Sequence, residues 1–157
     1  MPIKIIKPIR RKALLILSIG LCLSVGILGS FFTVSSIPTW YATLIKPSFS
    51  PPNWIFGPVW TTLYILMGIS LFLVWEKRKV PVVFWIQLVL NSIWSIIFFG
   101  FKSPGLALVN ILALWVAIIL TMRAFYKVSP TATYILIPYI LWVSFAVFLN
   151  LFIVILN

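Results

Sequence analysis

Histidine is absent from this chain of 157 residues, and Glu76 is its only acidic side chain. A hydrolase needs a general acid or base, a metal centre needs several ligands, and an ATPase needs a phosphate-binding loop. No such set can be assembled here, so acid–base catalysis, a metal site and nucleotide hydrolysis are not expected. A proton relay through intramembrane carboxylates is not expected either. Cys22 is the sole cysteine, which rules out an intramolecular disulfide, leaves the redox compartment open, and makes the residue a small packing group. Charge of either sign is scarce. Only 8% of residues are charged, against about 25% in soluble domains, while 63% are hydrophobic and the mean hydropathy is +1.21. So few solvated residues cannot cover a soluble surface, and the solvent that fits is lipid.

A hydrocarbon core about 30 Å thick takes roughly 20 apolar residues of helix. Five uncharged stretches of that kind occur, over 13–36, 55–75, 80–101, 104–122 and 129–155, and none alternates like a barrel strand. The expected fold is an all-α membrane protein, a single domain over 1–157 forming a five-transmembrane-helix bundle with a lid loop over 37–53. Five crossings place Lys4, Lys7, Arg10, Arg11, Lys12, Lys77, Arg78, Lys79, Arg123 and Lys127 on one side, and only Lys46 and Lys102 on the other. The positive-inside rule then puts the N-terminus in the cytoplasm and the C-terminus outside. The net charge of +11 reads as topology and contact with anionic lipid, with no nucleic acid as partner. Glu76, beside Lys77, Arg78 and Lys79, is expected in a solvated ion pair. The basic start and apolar run also fit a cleavable signal peptide. Against that, Ser18, Cys22, Gly26 and Ser30 recur every four residues, a packing stripe that a discarded peptide does not need.

The chain is rich in aromatics, with eight Trp, five Tyr and thirteen Phe. Trp40, Tyr41, Trp75 and Trp85 read as interfacial anchors. Other aromatics share helical faces with polar groups: Trp60, Tyr64 and Gly68 on the second stretch, with Trp54 and Phe56 at its entry; Gln87, Asn91, Trp94, Ser95 and Phe98 on the third; Pro138, Trp142, Ala146 and Asn150 on the fifth. Lipid penalises exposed amides, so these stripes should face inward. They serve either as interhelical glue or as the wall of a pocket. The segment 37–53 favours a pocket: Pro38, Pro47, Pro51 and Pro52 stiffen it and should keep it from forming regular helix. With Trp40, Tyr41 and Phe49 it is expected to cover the outer mouth, a lid suited to a large, flat, apolar ligand.

Three blocks carry a family resemblance: WYATLIKPSFSPPNWIFGPVWTTLYILMG over Trp40–Gly68, QLVLNSIWSIIFFG over Gln87–Gly100, and PYILWVSFAVFLN over Pro138–Asn150. At these residues the chain resembles the TspO/MBR family of tryptophan-rich sensory proteins, also called translocator or peripheral benzodiazepine receptor proteins. The resemblance implies a receptor or sensor linked to oxidative or light stress, usually a homodimer, in a membrane that the basic side suggests is a bacterial plasma membrane. It implies an aromatic pocket under the first loop that binds porphyrins and isoquinoline-carboxamide-type ligands. The matching positions are Trp54, Trp60, Tyr64, Asn91, Trp94, Trp142 and Ala146, with Tyr41 and Pro51 in the lid. No cofactor is required, porphyrin being the ligand. If the activity is instead light-driven oxidative breakdown of bound porphyrin, Trp60 and Trp142 take part; transport of porphyrin or lipid is a third reading, for which no inverted repeat is visible.

The chain departs from the family pattern in two places. The stretch NLFIVILN over Asn150–Asn157 lacks the Tyr and following Arg or Lys of the animal sterol-recognition segment, so sterol binding there is not expected. Leu106 and Asn110 stand where relatives often have Trp and Asp. Without His, the conceivable haem ligands are the weak candidates Met67 and Met122, so metal-free porphyrin should bind at least as well as haem. Propionates of such a ligand are expected to meet either Lys46 or the Asn and Trp donors.

Overall fold

Hydrocarbon offers backbone amides no water, so a spanning segment must satisfy them internally, and the apolar runs of this chain do so as helices. The computed structural model describes residues 8–157; Lys4 and Lys7 lie outside the described residues. The helices are α1 (Pro8–Ser36), α2 (Phe56–Trp75), α3 (Val82–Ser95), α4 (Pro104–Tyr126), α5 (Pro130–Ile135) and α6 (Ile137–Leu156). Five helical segments are long and apolar enough to cross a membrane, with α5 and α6 together making the fifth. The protein is therefore a five-helix membrane bundle. Arg11, Lys77, Arg78, Lys79, Arg123 and Lys127 lie at or beyond helix ends that share one side, the basic end; Lys46 and Lys102 lie at the opposite, loop end.

The expected lid loop is shorter than 37–53. α1 runs on through a wide π turn, Ile37–Tyr41, so that the first span is Pro8–Tyr41, 34 residues long. Pro38 forbids a normal α turn because its ring clashes with the carbonyl four residues back, and the wider turn accommodates it. The Thr39 hydroxyl donates to the Ser35 carbonyl at 2.8 Å, satisfying an acceptor there. α3 ends in a matching π turn, Ile96–Gly100. The two wide turns lie together: the Ser36 hydroxyl donates to the Phe99 carbonyl at 2.9 Å, and a Cβ on Gly100 would meet Phe32 Cδ1 at 2.9 Å. Lys102, with φ 53°, makes the tight reversal into α4.

The last span also departs from its expected stripe. Pro138 sits in the first turn of α6 and is exposed, while the adjacent Tyr139 is buried. Lacking an amide hydrogen, Pro138 cannot continue the ladder of α5, and the break at Leu136 gives Tyr139 the inward position.

α1 meets α2 closely at Gly68, where a Cβ would lie 2.5 Å from the Ile19 Cα. At the basic end, Arg11 Nε donates to Glu76 Oε2 at 2.8 Å, with the guanidinium 5.6 Å from the Phe72 ring centre. The partner of Glu76 thus comes from α1 rather than from its lysine and arginine neighbours in sequence. Farther along, α1 leans onto α3, with Gly29 against the Ser95 side chain. Between these contacts lies the core, where Met67, Leu71, Phe84, Ile111 and Leu114 are buried and Phe84 stacks on Phe125 at 5.5 Å. Replacing Gly68 by Ala must push the α1 backbone away; thermal unfolding in detergent should show a loss of about 1–3 kcal/mol, whereas Gly20→Ala, where a Cβ meets nothing within 4 Å, should show none.

Candidate functional site

Above the Gly68 contact lies a cavity of about 280 Å³, lined by α1 and its π turn, α2, α3 and its π turn, and α6. Tyr64 closes its lower side. Gly26 leaves room for that ring, since a Cβ there would fall 2.5 Å from Tyr64 Cδ2. Trp60 continues the wall, its ring 5.8 Å from Tyr64 and inclined by 31°. Trp94 stacks on Phe98 at 5.2 Å, and Trp142 lies 6.2 Å from Phe56 and 5.4 Å from Phe145. The lining carries no charged side chain.

Of the residues the family pattern selects, Tyr41, Trp60, Tyr64, Trp94, Trp142 and Ala146 line this cavity. Asn91 lies behind its wall. The Tyr64 hydroxyl donates to Asn91 Oδ1, Asn91 Nδ2 donates to the Tyr139 hydroxyl at 2.9 Å, and that hydroxyl donates to Gln87 Oε1 at 2.9 Å. This buried chain holds the Tyr64 ring in place from α3 and α6. Trp54, 73% exposed, and Pro51 are not among the lining residues. Met67 and Met122 do not line it either, and among the described residues no group of three His, Cys, Asp or Glu could hold a metal ion.

The lining also includes Gly26, Ser30 and Thr33 of α1, together with Phe56 and Phe145, none of which was singled out as a ligand position. The repeat of small residues on α1 was the available signal for the first of these, but small residues pack helices as readily as they leave space. Asn110 donates to the Leu90 carbonyl at 3.0 Å and ties α4 to α3. Asn150 accepts from Trp94 Nε1 at 3.1 Å and donates to the Pro104 carbonyl at 2.8 Å, so its amide is already engaged at the cavity edge.

The connection after α1 docks on α6. Phe49 lies 5.3 Å from Phe152 and 6.2 Å from Phe145, and the Asn157 side chain pairs twice with the Ile45 backbone, at 2.9 and 3.0 Å. No residue of 42–55 is among those lining the cavity. Lys46 Nζ sits 4.9 Å from the centre of the Tyr41 ring and donates to the Leu44 carbonyl. Among the described residues, three buried polar side-chain atoms have no hydrogen-bond partner: the Tyr41 and Ser50 hydroxyls and Trp142 Nε1.

The TspO/MBR family profile matches residues 18–156. The chain belongs to the TspO/MBR family. It is 51% identical over 150 residues to the tryptophan-rich protein TspO of Chlorobaculum tepidum, covering 91% of this chain and 95% of that one. It is 45% identical over 130 residues to the translocator protein of Homo sapiens, covering 78% and 77%, and 33% identical over 114 residues to the tryptophan-rich sensory protein of Cereibacter sphaeroides, covering 71% and 72%. In this family member Tyr139→Phe removes the hydroxyl that joins Asn91 to Gln87 and strands two buried amide groups. Thermal unfolding in detergent should register a loss of about 1–2 kcal/mol.

Proposed function

We propose that this protein is a sensor or receptor of the membrane that binds porphyrins and isoquinoline-carboxamide-type molecules in the aromatic cavity. The observation that carries this reading is the convergence of Trp60, Tyr64, Trp94 and Trp142 on one cavity. A flat apolar ligand would stack its rings on Trp60, Tyr64 and Trp94. At about 280 Å³ the cavity is small for a ligand pocket, and a macrocycle would enter by one edge.

The names of the relatives, a sensory protein and a translocator protein, support the same class of role. The basic end supports a cytoplasmic N-terminus and an external C-terminus, in a bacterial plasma membrane. A homodimer belongs to the same reading, as the family resemblance implies.

A second reading, light-driven oxidative breakdown of bound porphyrin, is favoured by the presence of Trp60 and Trp142 in one cavity lining. It needs no acid or base. Titration with protoporphyrin IX in the dark, then under light, separates the two. Saturable binding is expected for the wild type, with Trp142→Phe weakening it about 5-fold through loss of ring area. Absence of saturable binding would refute the binding reading; a new pigment product that needs Trp60 and Trp142 would establish the photochemical one.

A further inference from the structure

Building on the binding reading, we infer that the cavity is loaded sideways from the bilayer, through the seam between α1 and α2, by a flat apolar ligand already dissolved in lipid. The seam follows from the path of α1. Bound tightly to α2 at Gly68, α1 then leans toward α3, where Gly29 meets Ser95 and Phe32 meets Gly100. Above Tyr64, Ser30 and Val34 of α1 and Gly57 and Thr61 of α2 belong to the cavity lining.

Residues on both edges of the gap line the cavity and are exposed at the same time. On α1 these are Ile27, 58% exposed, Ser30 and Val34, 70% exposed; on α2 they are Gly57 and Thr61. Counted from Lys12, the last cation of α1, a hydrocarbon core of about 30 Å takes roughly 20 residues of helix, so Ile27 and Ser30 lie at hydrocarbon depth and Val34 at its outer edge.

The seam is also unfastened. Ser30 donates to the Ile27 carbonyl, Thr33 to the Gly29 carbonyl and Thr61 to the Gly57 carbonyl, each within its own helix. Among the described residues, the side-chain hydrogen bonds between α1 and α2 are those of Arg11 and Glu76 at the basic end. Parting the helices near Ser30 thus breaks no polar contact. The aqueous side is fastened by comparison, with Asn157 paired twice to Ile45 and Phe49 set against Phe145 and Phe152. An apolar solute partitions into lipid first, and the lateral gap then opens without desolvating a polar group.

The test uses the full chain in nanodiscs of phosphatidylethanolamine and phosphatidylglycerol, with protoporphyrin IX delivered in the dark from donor vesicles and binding followed by stopped-flow fluorescence. Val34→Trp and, from the opposite edge, Thr61→Trp should slow association and dissociation together, by at least about 5-fold. Asn157→Ala, which unfastens the loop, should leave both rates within about 2-fold of wild type. Unaltered rates in both tryptophan variants would overturn lateral loading, as would acceleration by Asn157→Ala. A change confined to dissociation would mark the two positions as ligand contacts and overturn it as well. If the wild type shows no saturable binding, the binding reading itself has failed. Saturable binding with unmoved rates is failure of the lateral route alone.

Discussion

A close approach of α1 and α2, backbone to backbone at Gly68 and Ile19, constrains how the rest of the bundle is arranged. In lipid there is no hydrophobic drive between helices, so association depends on how intimately surfaces can meet. A glycine at 68 lets the α1 backbone come into contact with α2. Toward the loop end α1 also meets the end of α3, with Gly29 against Ser95 and Phe32 against Gly100, and there the cavity is lined by α1, α2, α3 and α6.

Polar side chains then determine which parts of that space close. Below the cavity, Tyr64, Asn91, Tyr139 and Gln87 satisfy one another across three helices. A network of this kind is stable in a low dielectric only when its members are paired, and its completeness makes the lower wall firm. Higher up, toward the loop end, the lining is aromatic, with Trp60 of α2, Trp94 and Phe98 at the end of α3, and Trp142 and Phe145 of α6.

Much of this was legible in the residues themselves. The three polar and aromatic stripes marked inward faces correctly for Tyr64, Gln87, Asn91, Trp94 and Phe98. They misled at Pro138, because regular periodicity assumes an unbroken helix and the break before α6 shifts the inward position to Tyr139. Proline content likewise argued that helix stops at Ser36, but a π turn absorbs Pro38 and carries α1 to Tyr41. Trp54 and Pro51, carried over by motif, lie outside the cavity lining. Short-range pattern says which face a side chain occupies within one helix; it does not say where neighbouring helices diverge.

Composition and run length alone determined the solvent, the helical architecture and the number of crossings, because each follows from residue counts, run lengths and the demand that backbone amides be satisfied in lipid. Tertiary structure alone decided that Glu76 pairs with Arg11, that Asn157 holds Ile45, and that Trp60 and Trp142 line one cavity. These contacts join residues tens of positions apart, and their existence depends on the crossing of whole helices, which no local spacing records.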